Sequence, residues 1–316
     1  MSAVITPFEG TELFNTASFN NRISQINTGF SYVSNPNLLD NWYFGNPINQ
    51  RRQTSYTSNG YAVDRWFFDS DSGSCSLAFT KDGVKFIATA GATGIASLKQ
   101  DIDPTMLSAL AGKTVTLSLL GKTDISQQVL FYVNSKVASF KSFPAVNGVC
   151  MTTLTYTFPA VLGGATIFVY GRAYSGAGEG TIIAAKLELG STQSLAHQDA
   201  AGNWVLNEIP DYGEQLRRCQ RYFYRFNSHA YGWTYNNNIV NCLIPLPVTL
   251  RATPVITLYE SGTINTVTGD AAMSSYEVKN IASNGLIIDL HNTANAFTTG
   301  TPVVWHNFDM AISADL

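Results

Sequence analysis

The chain has 316 residues, more than one β-sandwich core accommodates and enough for two, because single cores rarely grow beyond about 250 residues. Charged residues make up 13%, against about 25% in an average globular protein, and the formal net charge of −3 leaves no footprint for a polyanion such as nucleic acid. No apolar run reaches the roughly 20 residues of a membrane span, and MSAVITPFEG has neither a basic nor an apolar leader, so the expectation is a product without membrane insertion or Sec export.

Helical rhythm appears first between Glu12 and Phe30, where Phe19, Ile23, Ile26 and Phe30 recur at alternating spacings of four and three. These are the a and d positions of a short heptad seam, with Asn20, Asn21, Arg22, Ser24 and Gln25 on the outside. The spacing predicts a helix that joins copies of the chain, the alternative being a helix packed on its own domain.

Beyond Ser34-Asn35-Pro36-Asn37 the pattern turns to short strands between turn signals. Strands are expected at Tyr61–Phe68, Ser74–Thr80, Val84–Ala90, Gly94–Ile102, Thr114–Gly121, Val129–Asn134, Met151–Phe158, Ala165–Tyr170 and Thr181–Leu189. Only Pro104–Leu110 reads as helix among them, so the best architecture is a jelly roll. In Thr114-Val115-Thr116-Leu117-Ser118-Leu119 the three apolar residues share a face that belongs in the core. Ser194–Gly213 is polar and turn-rich and reads as a connector. Then comes a short helix through Glu214–Arg218 and an aromatic strand. Ile239–Leu246, Pro254–Tyr259, Ser275–Val278, Gly285–Leu290 and Val303–Ile312 supply a second, smaller β-sandwich, with Pro245, Pro247 and Pro254 at strand ends or edges.

Catalytic constellations are absent from this pattern. The four histidines, His197, His229, His291 and His306, stand in no recognisable motif, and the serine loop Asp71-Ser72-Gly73-Ser74 reads as a hairpin turn. Gly176-Ala177-Gly178-Glu179-Gly180 has no following Lys-Ser/Thr, so it is no phosphate cradle. Asp69 and Asp71 are oxygen ligands of the type hard cations take, but no third carboxylate lies near and a solvated turn accounts for them. Cys75, Cys150, Cys219 and Cys242 form no C-x-x-C pair, and they read as small buried apolar residues. Neither a metal nor a cofactor is expected.

A binding surface has better support. Glycans are held by aromatic rings against their C–H faces, with amides and carboxylates on their hydroxyls. The stretch NSHAYGWTYNNN has that mixture: Tyr231, Trp233 and Tyr235 alternate on one strand face, and Asn237 lies at its end among Asn236 and Asn238. The other reading, left open by the residues alone, is that this face packs inside the sandwich or between copies. Trp42 and Trp66 read as core.

Several stretches resemble tail-fibre and head-fibre-like proteins of tailed phages and prophages: Asn37-Leu38-Leu39-Asp40-Asn41-Trp42, Asn49-Gln50-Arg51 with Tyr61 and Asp64-Arg65-Trp66, Lys186-Leu187-Glu188-Leu189-Gly190, and Cys219-Gln220-Arg221-Tyr222-Phe223. The first domain also resembles jelly-roll carbohydrate-binding modules, whose last core strand carries a similar Leu-Glu-Leu-Gly ending. The resemblance implies a homotrimeric virion protein assembled in the bacterial host cytoplasm, in keeping with the seam at Phe19–Phe30; it names no sugar. The expected organisation is all-β: an N-terminal attachment and oligomerisation helix at 1–36, a jelly roll at 37–193, a connector at 194–213 and a C-terminal β-sandwich at 214–316. The expected function is a non-enzymatic fibre, spike or appendage subunit that meets host-surface glycans. Its partners are copies of itself, other virion proteins through the N-terminal segment and a host glycan. The alternatives are a standalone carbohydrate-binding protein and a polysaccharide depolymerase with its site between subunits.

Overall fold

A computed structural model describes residues 35–70, 75–89, 93–124, 127–175, 177–282 and 285–315. The seam residues Phe19, Ile23, Ile26 and Phe30 lie outside these residues, as do Asp71 and Ser72. The strands open with β1 (Ser55–Tyr56), β2 (Gly60–Tyr61), β3 (Phe67–Ser70), β4 (Cys75–Thr80), β5 (Gly83–Ala88) and β6 (Thr93–Asp101). After the helix Pro104–Leu110 come β7 (Thr114–Thr123), β8 (Gln127–Val133), β9 (Lys136–Phe143), β10 (Val146–Thr157), β11 (Ala165–Ser175) and β12 (Gly178–Leu189). A small hairpin, β13 (Ala196–Gln198) with β14 (Trp204–Leu206), is followed by the helix Tyr212–Gln220. The last strands are β15 (Phe223–Phe226), β16 (Ala230–Thr234), β17 (Ile239–Pro245), β18 (Val255–Thr266), β19 (Gly269–Ala271), β20 (Ser275–Ala282), β21 (Gly285–His291) and β22 (Pro302–Ser313). The chain divides into two compact units: residues 35–46, 55–59 and 68–210 form the first, and residues 47–54, 60–67 and 211–315 the second.

The first unit is a jelly-roll sandwich. One sheet runs β1-β4-β5-β12-β7-β10, and the other contains β3-β6-β11-β8-β9 in that order. Rings close the gap between the sheets: Phe68 meets Phe86 with centroids 6.4 Å apart, and Phe131 stacks on Tyr156 at 5.3 Å. Val115, Leu117 and Leu119 are buried as their alternation requires, and Thr116 and Ser118 are buried too, so β7 is covered on both faces. The helix Pro104–Leu110 starts where the sequence places it, because Asp103 accepts the Thr105 amide and proline stands in the first turn, where its missing N–H costs nothing.

Two of the fibre-like motifs are ties within this unit. β5 pairs β12 only from Gly178 to Ile182, which leaves the next stretch of that edge open. The segment Asn37–Phe44 fills it: Leu38 donates to Leu187 O at 2.8 Å, Ala185 to Trp42 O at 3.0 Å and Phe44 to Ile183 O at 2.9 Å. The Asn37 side chain locks the arrangement, donating to Ala185 O at 2.9 Å and accepting from the amides of Leu39 (3.0 Å) and Leu187 (3.1 Å). In Lys186-Leu187-Glu188, the buried Lys186 ammonium reaches Glu208 at 2.7 Å, and Glu188 accepts both the amide (2.6 Å) and the hydroxyl of Ser194.

The second unit achieves its expected two-layered packing with one eight-stranded sheet, ordered β19-β18-β22-β16-β17-β21-β20, with β15 also on β22. The sheet curls until strands from its two ends touch: the Tyr276 hydroxyl on β20 donates to Ile256 O on β18 at 3.2 Å. Inside lie Val240, Ile244, Ile288, Trp305, Met310 and Ile312. Trp305 and Phe308 both point inward, stacked with centroids 3.7 Å apart, although strict alternation forbids this. The phase shift is made by Asn307 (φ 57) opposite Gly262 (φ 64), where an added Cβ would stand 2.4 Å from His306 O, so glycine is required.

Several sequence expectations change. Ala62–Trp66 is a closed turn instead of part of a strand Tyr61–Phe68: Ala62 donates to Trp66 O at 2.8 Å and Arg65 takes φ 74, while Trp66 is buried as expected. β9 was not expected, because it lies at a sheet edge and most of its residues stay exposed or half-exposed, which erases alternation. β18 runs well past Tyr259, to Thr266. Cys150 is only partly buried, unlike Cys75, Cys219 and Cys242.

Candidate functional site

The candidate residues sit in the middle of the second unit's sheet. β16 is hydrogen-bonded to β17 on one side and β22 on the other, and its residues alternate strictly between buried and exposed. Ala230, Gly232 and Thr234 face inward. Tyr231, Trp233 and Tyr235 face outward, 71%, 61% and 69% exposed. The inward positions hold the strand: the Thr234 hydroxyl bonds Thr298 O at 2.5 Å, and a Cβ at Gly232 would stand 2.2 Å from Asn241 O, so only glycine permits this approach of β16 to β17. Cys242 behind it is chemically quiet, because burial pushes its thiol up to about 12. After Tyr235, whose amide donates to Ile239 O at 2.8 Å, the chain turns through Asn236–Asn238. The Asn236 carboxamide folds in to accept the Asn238 amide at 2.9 Å, which leaves Asn237 exposed with its carbonyl held by Phe297 N at 3.0 Å.

Register supplies neighbours that the sequence reading did not name. Beside Tyr231 stand Leu243 on β17 and Val304 on β22; beside Trp233 stand Asn241 and Pro302. Continuing outward, Asn241 is paired with Asp289 in register and donates its side-chain amide to that carboxylate. Lys279 lies 3.7 Å from Asp289 and 2.7 Å from Glu277. The bond between Lys279 and Glu277 lowers the carboxyl and raises the ammonium from their ordinary values, so both stay charged around neutrality. On the other flank, Asn265 donates to Asp270 at 2.9 Å. An open groove of about 760 Å³ runs between the rings of Tyr231 and Trp233 and the tip Asn265–Val267, over a floor that includes Pro302 and Val304. His229, next on the same face of the strand, stacks on His306 with centroids 6.1 Å apart.

Other candidate groups are placed elsewhere. Asp69 is engaged by Lys99 at 2.8 Å and by Asn59 at 3.1 Å. His197 Nδ1 is 2.5 Å from the Asn207 carboxamide. Among the described residues no group of three or more His, Cys, Asp or Glu side chains could hold a metal ion.

The remaining fibre-like motifs meet inside the second unit as structure. Gln50 Nε2 donates to the buried Asp64 at 2.8 Å and to Phe223 O at 2.7 Å. Arg51 lies over the Phe223 ring at 3.8 Å and pairs with Asp315 at 2.5 Å, and Arg65 lies over Tyr222 at 3.6 Å. Burial drives the Asp64 carboxyl up to about 7, against the opposing pull of Gln50 and Arg51.

No protein-family model matches the chain, and no curated protein does. Among solved structures, similarity is found to a CBM4 module (17% identity over 48% of this chain and 99% of that one, TM-score 0.34). A second is TmCBM61 in complex with β-1,4-galactotriose (10% identity, 49% of this chain and 99% of that one, TM-score 0.33). A third is the enzymatically active domain of tailspike protein 4 of bacteriophage CBA120 (14% identity, 48% of this chain and 21% of that one, TM-score 0.33).

Proposed function

We propose that the protein is a non-enzymatic glycan-binding subunit of a virion appendage, and that it holds carbohydrate on the face formed by Tyr231, Trp233 and Tyr235. One observation carries this reading: three large rings stand two residues apart on the solvent side of one strand, with the Asn241 amide in register beside Trp233. Leaving such rings in water forgoes the gain that burying them brings, so an apolar patch of this kind points to something that covers it. Flat rings suit the C–H faces of pyranoses, and Asn241 and Asn265 on flanking strands supply hydrogen-bonding groups.

The virion setting rests on the fibre-like motifs Asn37–Trp42, Asp64–Trp66 and Cys219–Phe223, and the proposed homotrimer on the seam Phe19–Phe30. In a trimer three shallow sites act together, so each needs only modest affinity for the whole to hold a surface tightly. The test is a glycan array read with the full chain and with Trp233→Ala. Loss of signal by at least about tenfold in the variant is expected from removing a central aromatic contact, and equal signals would dismiss the face. Sugar release from a bound polysaccharide, abolished by an acidic-residue substitution, would instead establish a depolymerase.

A further inference from the structure

The surroundings of the rings carry a charge bias. Beyond Trp233 lie Asp289 and Glu277 with Lys279, and beyond Val304 lie Asn265 and Asp270. Three carboxylates thus stand against one ammonium, a formal balance of two negative charges. Each carboxylate already accepts from a protein donor: Asp289 from Asn241, Glu277 from Lys279, Asp270 from Asn265. The exposed Asp270 and Glu277 keep lone pairs suited to sugar hydroxyls, whereas Asp289 is buried, and the summed field of the three disfavours an anion on this face most strongly at low salt.

Along the strand the ring positions repeat every two residues, so successive rings are about 7 Å apart and Tyr231 to Tyr235 covers about 14 Å. A single pyranose covers one ring; a chain of sugars covers all three. We infer that the ligand, on the glycan-binding reading above, is an extended neutral glycan of three or more units laid along β16, and that acidic glycans are turned away. Specificity of this kind comes as much from repulsion of the wrong ligand as from attraction of the right one.

The experiment uses the full chain in titration calorimetry with neutral gluco-, galacto-, manno- and xylo-oligosaccharides of one to six units, their uronic-acid counterparts, and amine-bearing glucosamine oligomers. For at least one neutral series, affinity is expected to rise up to three or four units and then level off. The matching uronic series should bind about tenfold more weakly at low salt, the gap closing as salt approaches about 0.5 M. The double variant Asp270→Lys/Glu277→Lys, at two exposed positions, should narrow the same gap at low salt. Monosaccharides bound as tightly as chains, or acidic or amine-bearing chains bound as well as neutral ones, would overturn the inference and leave the glycan-binding reading standing. Absence of binding in every series would remove both.

Discussion

Each unit ties a strand-poor segment to its sheets, and each does so with different chemistry. In the first, Asn37 holds Asn37–Phe44 to β12 through neutral amide bonds to Ala185, Leu187 and Leu39. In the second, the segments around Gln50 and Asp64 are held by a buried carboxyl and by guanidinium groups over the rings of Phe223 and Tyr222. The neutral tie is indifferent to pH. The charged one is not, since a carboxyl taken out of water keeps its proton to a higher pH than it does in an unfolded chain.

The largest expected effect follows from Asp64. Its folded value is about 7, and the ordinary one is 3.8. Between these the folded protein holds a proton that the unfolded chain has lost, so unfolding releases a proton and stability falls as pH rises. The loss, complete above the folded value, amounts to about 4 kcal/mol. Asp309 acts in the opposite sense: the hydrogen bond from Arg225 lowers its carboxyl, so that contribution is lost on acidification below the usual carboxylate range. The second unit should therefore be most stable near pH 4. Denaturant unfolding at several pH values would show the decline toward neutrality in the wild type and its flattening in Asp64→Asn, whose amide oxygen still accepts from Gln50. Parallel curves for the two proteins would mean that Asp64 is ionised in the fold.

Asn37→Ala is the counterpart in the first unit. Three hydrogen bonds disappear and buried backbone groups of β12 lose partners, a cost of about 2 to 4 kcal/mol. This loss should be the same at acid and neutral pH, as the unfolding midpoint of the first unit would report. A strongly pH-dependent loss would break the contrast between the two ties.

How much of this was legible depends on whether a feature is local. The helix Pro104–Leu110 is announced by Asp103 and its proline, and the shared face of Tyr231, Trp233 and Tyr235 by a period of two, although whether that face points inward or outward is not. The turn Ala62–Trp66 was hidden because Arg65 adopts a left-handed conformation that its side chain does not announce. Asn241, Leu243 and Asp289 could not be assigned to the face because register between β16, β17 and β21 decides which residues stand beside the rings. Leu243 in particular lies in the apolar run Ile239–Pro245 and reads as core, yet it is exposed. The fibre-like motifs were legible as structural, but their partners, up to 264 residues away in the case of Arg51 and Asp315, were not.

The smallest expected effect separates clamped rings from presented ones. Tyr222 is buried with the Arg65 guanidinium 3.6 Å from its centroid, whereas among the described residues no cation or second ring lies against Tyr231, Trp233 or Tyr235. Trp233→Ala should therefore shift unfolding free energy by no more than about 0.5 kcal/mol, the range of surface substitutions, while Tyr222→Ala loses about 3 kcal/mol or more. Thermal and denaturant unfolding of the two variants would check this, and a Trp233 variant as damaged as the Tyr222 variant would show that the ring supports the sheet. A Trp233 variant of unchanged stability would mean that the ring, placed by the glycine-dependent approach of β16 to β17 at Gly232, does not support the sheet, as the proposed glycan face requires.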